Sequence, residues 1–200
     1  MNLPAEQSLD GRIRVEVVVR SRPQVTLDQP DSHTNAGNIV TGGEMMLTTI
    51  SVHREMRDGA APTVVSRLVE EAIAAVLETR THLEVVRGNV DVDYLMTVLI
   101  RSHGLSNRLE DGDPIFFMNG RAELYSEPQH RRIWRSCQRA RESLAPGAGR
   151  SGIHGPIVSD FEALDRMVSV DFSAEFESLS IEMAEDLVQG LLAGQPADED

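Results

Sequence analysis

The chain has 200 residues, 40% of them hydrophobic, and a formal charge of −13 from 32 acids and 19 bases. That length and apolar content suit one domain with a real core and exclude a wholly disordered chain, while the charge excludes a protein that coats nucleic acid over its whole surface. The single cysteine, Cys137, rules out an internal disulfide framework and a cysteine-built zinc site.

Residues 1–11 show no periodicity and read as a mobile arm. Ile13, Val15, Val17 and Val19 alternate with polar neighbours, the period-two pattern of a half-buried strand that Arg22-Pro23 ends. Residues 27–43, rich in Asp, Asn, Gly and Ser, predict a long surface loop. A second strand is expected over 45–53, paired with the first as a hairpin. Val65, Leu68, Val69, Ala72, Ile73, Val76 and Leu77 recur at three- and four-residue spacing and predict a helix, with Thr63 as its candidate N-cap. Tyr94, Leu95, Val98 and Leu99 suggest another helix over 93–103, with Gly104 in the C′ position.

Phe116, Met118, Gly120, Ala122 and Leu124 share one face of an expected strand, opposite Asn119, Arg121 and Glu123. Ile133, Cys137, Ala140 and Leu144 predict a helix over 128–144 that buries the thiol. Residues 145–157 are a second long loop, and the alternation of Val168, Val170, Phe172, Ala174 and Phe176 predicts a strand. Ile181, Ala184, Leu187, Val188, Leu191 and Leu192 then switch to helical spacing, followed by an acidic tail over 195–200. Together these give an α+β fold: a single domain over 12–194, with a largely antiparallel sheet packed by helices on one side.

No decisive catalytic or cofactor signature emerges. The G-x-G-x-x-G match at 147–152 follows a helical or terminal segment instead of a strand, which removes its phosphate-binding geometry. No two histidines stand at metal-binding helical spacing. Asn89, Asp91 and Asp93 open like a calcium loop, but Tyr94 occupies the position that needs Gly; helix capping accounts for them better. No cofactor and no metal is expected. The remaining signal is basic: Arg131, Arg132, Arg135, Arg139 and Arg141 surround Trp134, whereas residues 160–200 hold twelve acids against Arg166 alone. Such a stripe suits an acidic protein segment, or the phosphate of RNA or lipid with Trp134 stacking a base.

The expected strand over 45–52, the helices over 63–77 and 94–103, and the strand bearing Gly120-Arg121-Ala122 together resemble the core order of rhabdovirus matrix proteins. The resemblance covers about half of the chain, and Gly-Arg-Ala is an unspecific motif. The chain lacks the Pro-Pro-x-Tyr budding motif and has no base in its first eleven residues. The resemblance implies a non-enzymatic protein that self-associates and bridges ribonucleoprotein to an anionic membrane, through Arg131, Arg132, Trp134, Arg135, Arg139 and Arg141. It would be a homo-oligomer, intracellular, soluble or peripheral, and part of a virion. The alternatives are an RNA-binding module using those arginines, or a small enzyme or ligand-binding domain assembled from dispersed residues such as His53, Glu55, His103 and Arg121.

Overall fold

The computed structural model describes residues 9–26, 51–106, 115–143 and 171–194. The expected loops over 27–43 and 145–157, the G-x-G-x-x-G run and the acidic tail lie outside these residues. Strand β1 (Asp10–Val19) leads through a short turn into β2 (Gln24–Thr26). Residues 51–59 are helical (α1), and α2 (Pro62–Arg80) follows at once. Then come β3 (His82–Val85), β4 (Tyr94–Ser106), β5 (Ile115–Ser126), β6 (Arg131–Ser143) and the helix α3 (Phe172–Leu192).

The six strands form one sheet in the order β3-β1-β4-β5-β6, with β2 continuing the β1 side of β4. The sheet is mixed, not largely antiparallel. Strand β1 runs parallel to both β3 and β4, and β2 runs parallel to β4; β4, β5 and β6 form an antiparallel meander. The parallel half follows from connectivity, because the chain returns from β1 to β3 through helices, and such crossovers bring strands back in the same direction.

Helices α2 and α3 lie side by side on one face of the sheet, α2 over β1 and β3, α3 over β5 and β6. Between helices and sheet sits the core: Ile13, Met96, Val98, Ile100, Phe116, Met118 and Leu124 from the strands meet Val65, Val69, Ile73, Phe176, Met183 and Leu187. Phe116 meets Phe172 and Phe176 edge-on, at centroid separations of 5.5 and 5.8 Å.

Several expected elements are corrected. Residues 51–53, the end of the strand expected over 45–53, are helical, and Val52 and Met56, four apart, are both buried; residues 45–50 lie outside the described residues. Asp10 and Gly11 belong to β1 instead of a mobile arm. Ala61, not Thr63, caps α2, with Pro62 in its first turn and no side-chain cap bond. The expected helix over 93–103 is strand β4, and the expected helix over 128–144 is β6 behind the turn 127–130. Residues 172–176 of the expected last strand are the first turns of α3. The Asp171 carboxylate accepts from the backbone N–H of Ser173 at 3.0 Å and Ala174 at 3.3 Å, a capping geometry that starts a helix. Asp93 caps no helix: its carboxylate accepts the Arg12 backbone N–H at 2.8 Å and ties β1 to the start of β4.

Candidate functional site

Alternation along each strand sends every second side chain away from the helices, and among the described residues no element covers that second face. Its rows follow from the pairing register. Arg14, Leu95, Tyr125 and Arg132 form one row across β1, β4, β5 and β6; Glu16, Thr97, Glu123 and Arg135 form the next. Val18, Leu99, Arg121 and Cys137 follow, and Asn119–Arg139 and Phe117–Arg141 close the face toward the far end of β6. The centre is apolar and partly exposed, with Val18 45% accessible. The β6 side is cationic.

One end of that side carries an internal charge network. Glu123, whose side chain is only 12% exposed, takes the Arg132 guanidinium at 3.0 Å, the Arg121 guanidinium at 3.5 Å and the Tyr125 hydroxyl at 2.9 Å. Burial alone would raise its carboxyl; the Tyr125 hydrogen bond and the two guanidinium groups outweigh it and hold the pKa below the usual range. Burial, then the bond to Glu123 and its charge, push the Tyr125 phenol up. Arg135, Arg139 and Arg141 have no ion-pair partner among the described residues.

The six sequence-predicted site residues divide. Arg132, Arg135, Arg139 and Arg141 share the open face. Arg131 leaves it, because a bulge beside Tyr125 shifts the register and sets Arg131 opposite Ser126. Trp134 points the other way: it is 1% exposed, pairs with Leu124 on the core side and lies beneath α3 near Gly190. Base stacking by Trp134 is therefore corrected to core packing. Cys137, expected to be buried, is exposed on the open face.

The dispersed set does not converge. Arg121 lies on the open face, while His103 is fully buried on the helix side, and His53 and Glu55 are exposed on α1. His103 is a structural imidazole. Since a carbonyl only accepts, its Nε2–H donates to the Ala60 oxygen at 2.9 Å, leaving Nδ1 to accept from the Ser21 hydroxyl at 3.3 Å. Burial lowers its pKa against the opposing pull of the Ala60 bond. Residues missed from sequence are Tyr125 and the apolar centre at Val18, Leu95 and Leu99. The signal for Tyr125 was present, since it continues the polar side of an expected strand. Among the described residues no group of three or more His, Cys, Asp or Glu is arranged to hold a metal ion, and no helix is long and apolar enough to cross a membrane.

No family model matches the chain, and no curated protein matches it. Solved bacterial structures do. A Xanthomonas campestris protein of the DUF330 family is 13% identical, with a TM-score of 0.51 over 96% of this chain and 89% of its own. A Chlamydia trachomatis protein described as hypothetical is 11% identical, with a TM-score of 0.47 over 94% and 100%. A minor lipoprotein of Acinetobacter baumannii is 9% identical, with a TM-score of 0.39 over 91% and 92%. Of these three, only the Xanthomonas protein is similar enough to speak to the fold, and it speaks to the fold alone.

The viral-matrix resemblance is overturned. Its element order needed a strand running to residue 52 and a helix over 94–103; the structure has a helix at 51–59 and a strand at 94–106. The structural likeness is to bacterial proteins. With it fall the virion location and the bridging of ribonucleoprotein to membrane.

Proposed function

We propose that this chain is a non-catalytic docking subunit that works through the open face of its sheet, as a homo-oligomer. The observation that carries the proposal is the coincidence, on a face that no described element covers, of three arginines without an ion-pair partner among the described residues and a partly exposed apolar centre. Buried apolar contact supplies affinity, and charge supplies register.

A second copy of the chain offers the complementary surface. The outer side of α3 carries Glu177, Ile181, Glu185, Asp186 and Leu192, with Ile181 46% and Leu192 54% exposed. The spacings agree. Arg135 and Arg139 stand about 13 Å apart along a strand rising about 3.3 Å per residue; Glu177 and Glu185, the latter also paired with Arg80 at 3.4 Å, stand about 12 Å apart along a helix rising 1.5 Å per residue. Face and helix are different patches of one molecule, so the contact is head-to-tail and grows into rings or filaments.

Sedimentation velocity across protein concentration tests this. Assembly should weaken with salt, since the pairs are exposed, and R135E/R139E should give monomers. Mixing R135E/R139E with E177Q/D186Q, whose neutral helix cannot pair with the reversed face, leaves one intact patch on each chain and should give a 1:1 complex. A monomer at every concentration, or assembly indifferent to R135E/R139E, refutes the proposal.

A further inference from the structure

A concave surface lies apart from that face, between the β1–β2 connection and α1. The chain between β1 and β2 forms one wall, with Arg22, Pro23 and Val25. Helix α1 and the start of α2 form the other, with His53, Arg54, Met56, Arg57, Ala61 and Pro62. The cleft is half open to solvent and offers about 800 Å³, within the roughly 300–1,000 Å³ usual for small-molecule sites. Its lining joins an apolar floor to a cationic rim. In a chain of charge −13, the rim holds, among the described residues, three arginines against Asp58. Asp58 pairs with Arg57 at 3.3 Å; Arg22 and Arg54 have no ion-pair partner among the described residues.

The two walls are fixed relative to each other from behind. Ser21, next to Arg22, and Ala60, next to Ala61, both bond the same buried imidazole of His103, at 3.3 and 2.9 Å. That ring is held in turn by edge-on contact with Phe176 at 5.8 Å. This shared anchor ties the described parts of the two walls together, which removes part of the ordering cost of binding. On α1, His53 and Arg57 are four apart and project from one side.

We propose that this cleft binds a small organic anion, with a phosphate or carboxylate head on the Arg22 and Arg54 guanidinium groups and an apolar body against Val25, Met56 and Pro62. Guanidinium forks suit the paired oxygens of either head group. The cleft is distinct from the docking face, and the two can fail separately.

Isothermal titration of the full chain with 1-naphthyl phosphate, 1-naphthoate, inorganic phosphate and 1-naphthol tests it. One naphthyl anion should bind per chain, at least tenfold more tightly than inorganic phosphate or naphthol, and the tighter of the two anions identifies the head group. Arg22→Gln and Arg54→Gln, both at exposed positions, should each weaken binding about tenfold by removing a charge-assisted bond. Arg139→Gln, on the other face, should leave it unchanged. Absence of binding by either anion, equal binding of naphthol, or affinity unchanged in both Arg22→Gln and Arg54→Gln overturns the proposal.

Discussion

Gly104→Ala separates a strand at 94–106 from a helix ending at 103. Gly104 has φ +155° and faces the β2 backbone so closely that an added Cβ would lie 2.8 Å from both Gln24 N and Gln24 C, and closer still to the Gln24 oxygen. Two costs follow. Holding an L side chain in that backbone region costs about 1–3 kcal/mol, and forcing a methyl group into packed backbone costs about 1–3 kcal/mol more. Together they reach about 4 kcal/mol, a large share of the roughly 5–15 kcal/mol that stabilises a domain. The alternative outcome is that β2 detaches from β4 and gives up its pairing at Gln24, Val25 and Thr26. Gly88→Ala is the matched control, since Gly88 has φ +83° and would meet nothing within 4 Å; it should cost only about 1 kcal/mol. In urea, at about 2 kcal/mol per molar, the midpoint should fall by about 2 M for Gly104→Ala and about 0.5 M for Gly88→Ala. Equal shifts would refute the close approach, since a glycine at a helix C′ position would behave like Gly88.

Two further outcomes follow from buried groups. Trp134, the chain's one tryptophan and 1% exposed, should fluoresce at short wavelength and resist acrylamide quenching, and Trp134→Ala should cost about 3–5 kcal/mol; red-shifted, readily quenched emission would contradict its burial. His103 has a pKa below the ordinary 6.5 because burial disfavours its charged form. The unfolded chain therefore binds the proton first, so the stabilising contribution is full above pH 6.5 and is lost as pH falls below it. The slope there should approach about 1.4 kcal/mol per pH unit, and His103→Gln should flatten it in urea titrations at pH 7 and pH 5.

The sequence was legible where one face of an element meets solvent and the other meets the core. β1, β5 and α2 are such elements, and their spacing is unambiguous. β4 is not: Met96, Val98 and Ile100 face the helices while Leu95 and Leu99 fill the centre of the other face. A strand apolar on both sides loses its alternation and imitates a helix. The β-branched content at Thr97, Val98 and Ile100 was the signal that favoured a strand. At the start of α3 the confusion ran the other way, because Phe172 and Phe176 are four apart. Four is a multiple of two and close to one helical turn, so such a pair shares a face in either structure. The same arithmetic explains why the arginine stripe survived a wrong element. Arg135 and Arg139 lie together on a helix and on a strand alike; Trp134, one residue away, changed sides, as did Cys137, and Arg131 left the stripe at the bulge.

Arginines on β6 have a competing explanation, because β6 is a 13-residue edge strand and charge on an edge discourages unwanted pairing with other chains. Edge protection requires charge on the outermost strand and nothing further inward. The observed charge goes further: Arg121 lies on β5 and Arg14 on β1, in the same rows as the apolar centre. The two roles predict opposite signs in one measurement. If Arg135 and Arg139 guard the edge, R135Q/R139Q should raise the sedimentation coefficient by allowing strand-to-strand association. If they dock the acidic side of α3 from another copy, the same change should lower it. Neutral glutamine keeps the length of the side chain and adds no repulsion, so the sign reports what the charge was for.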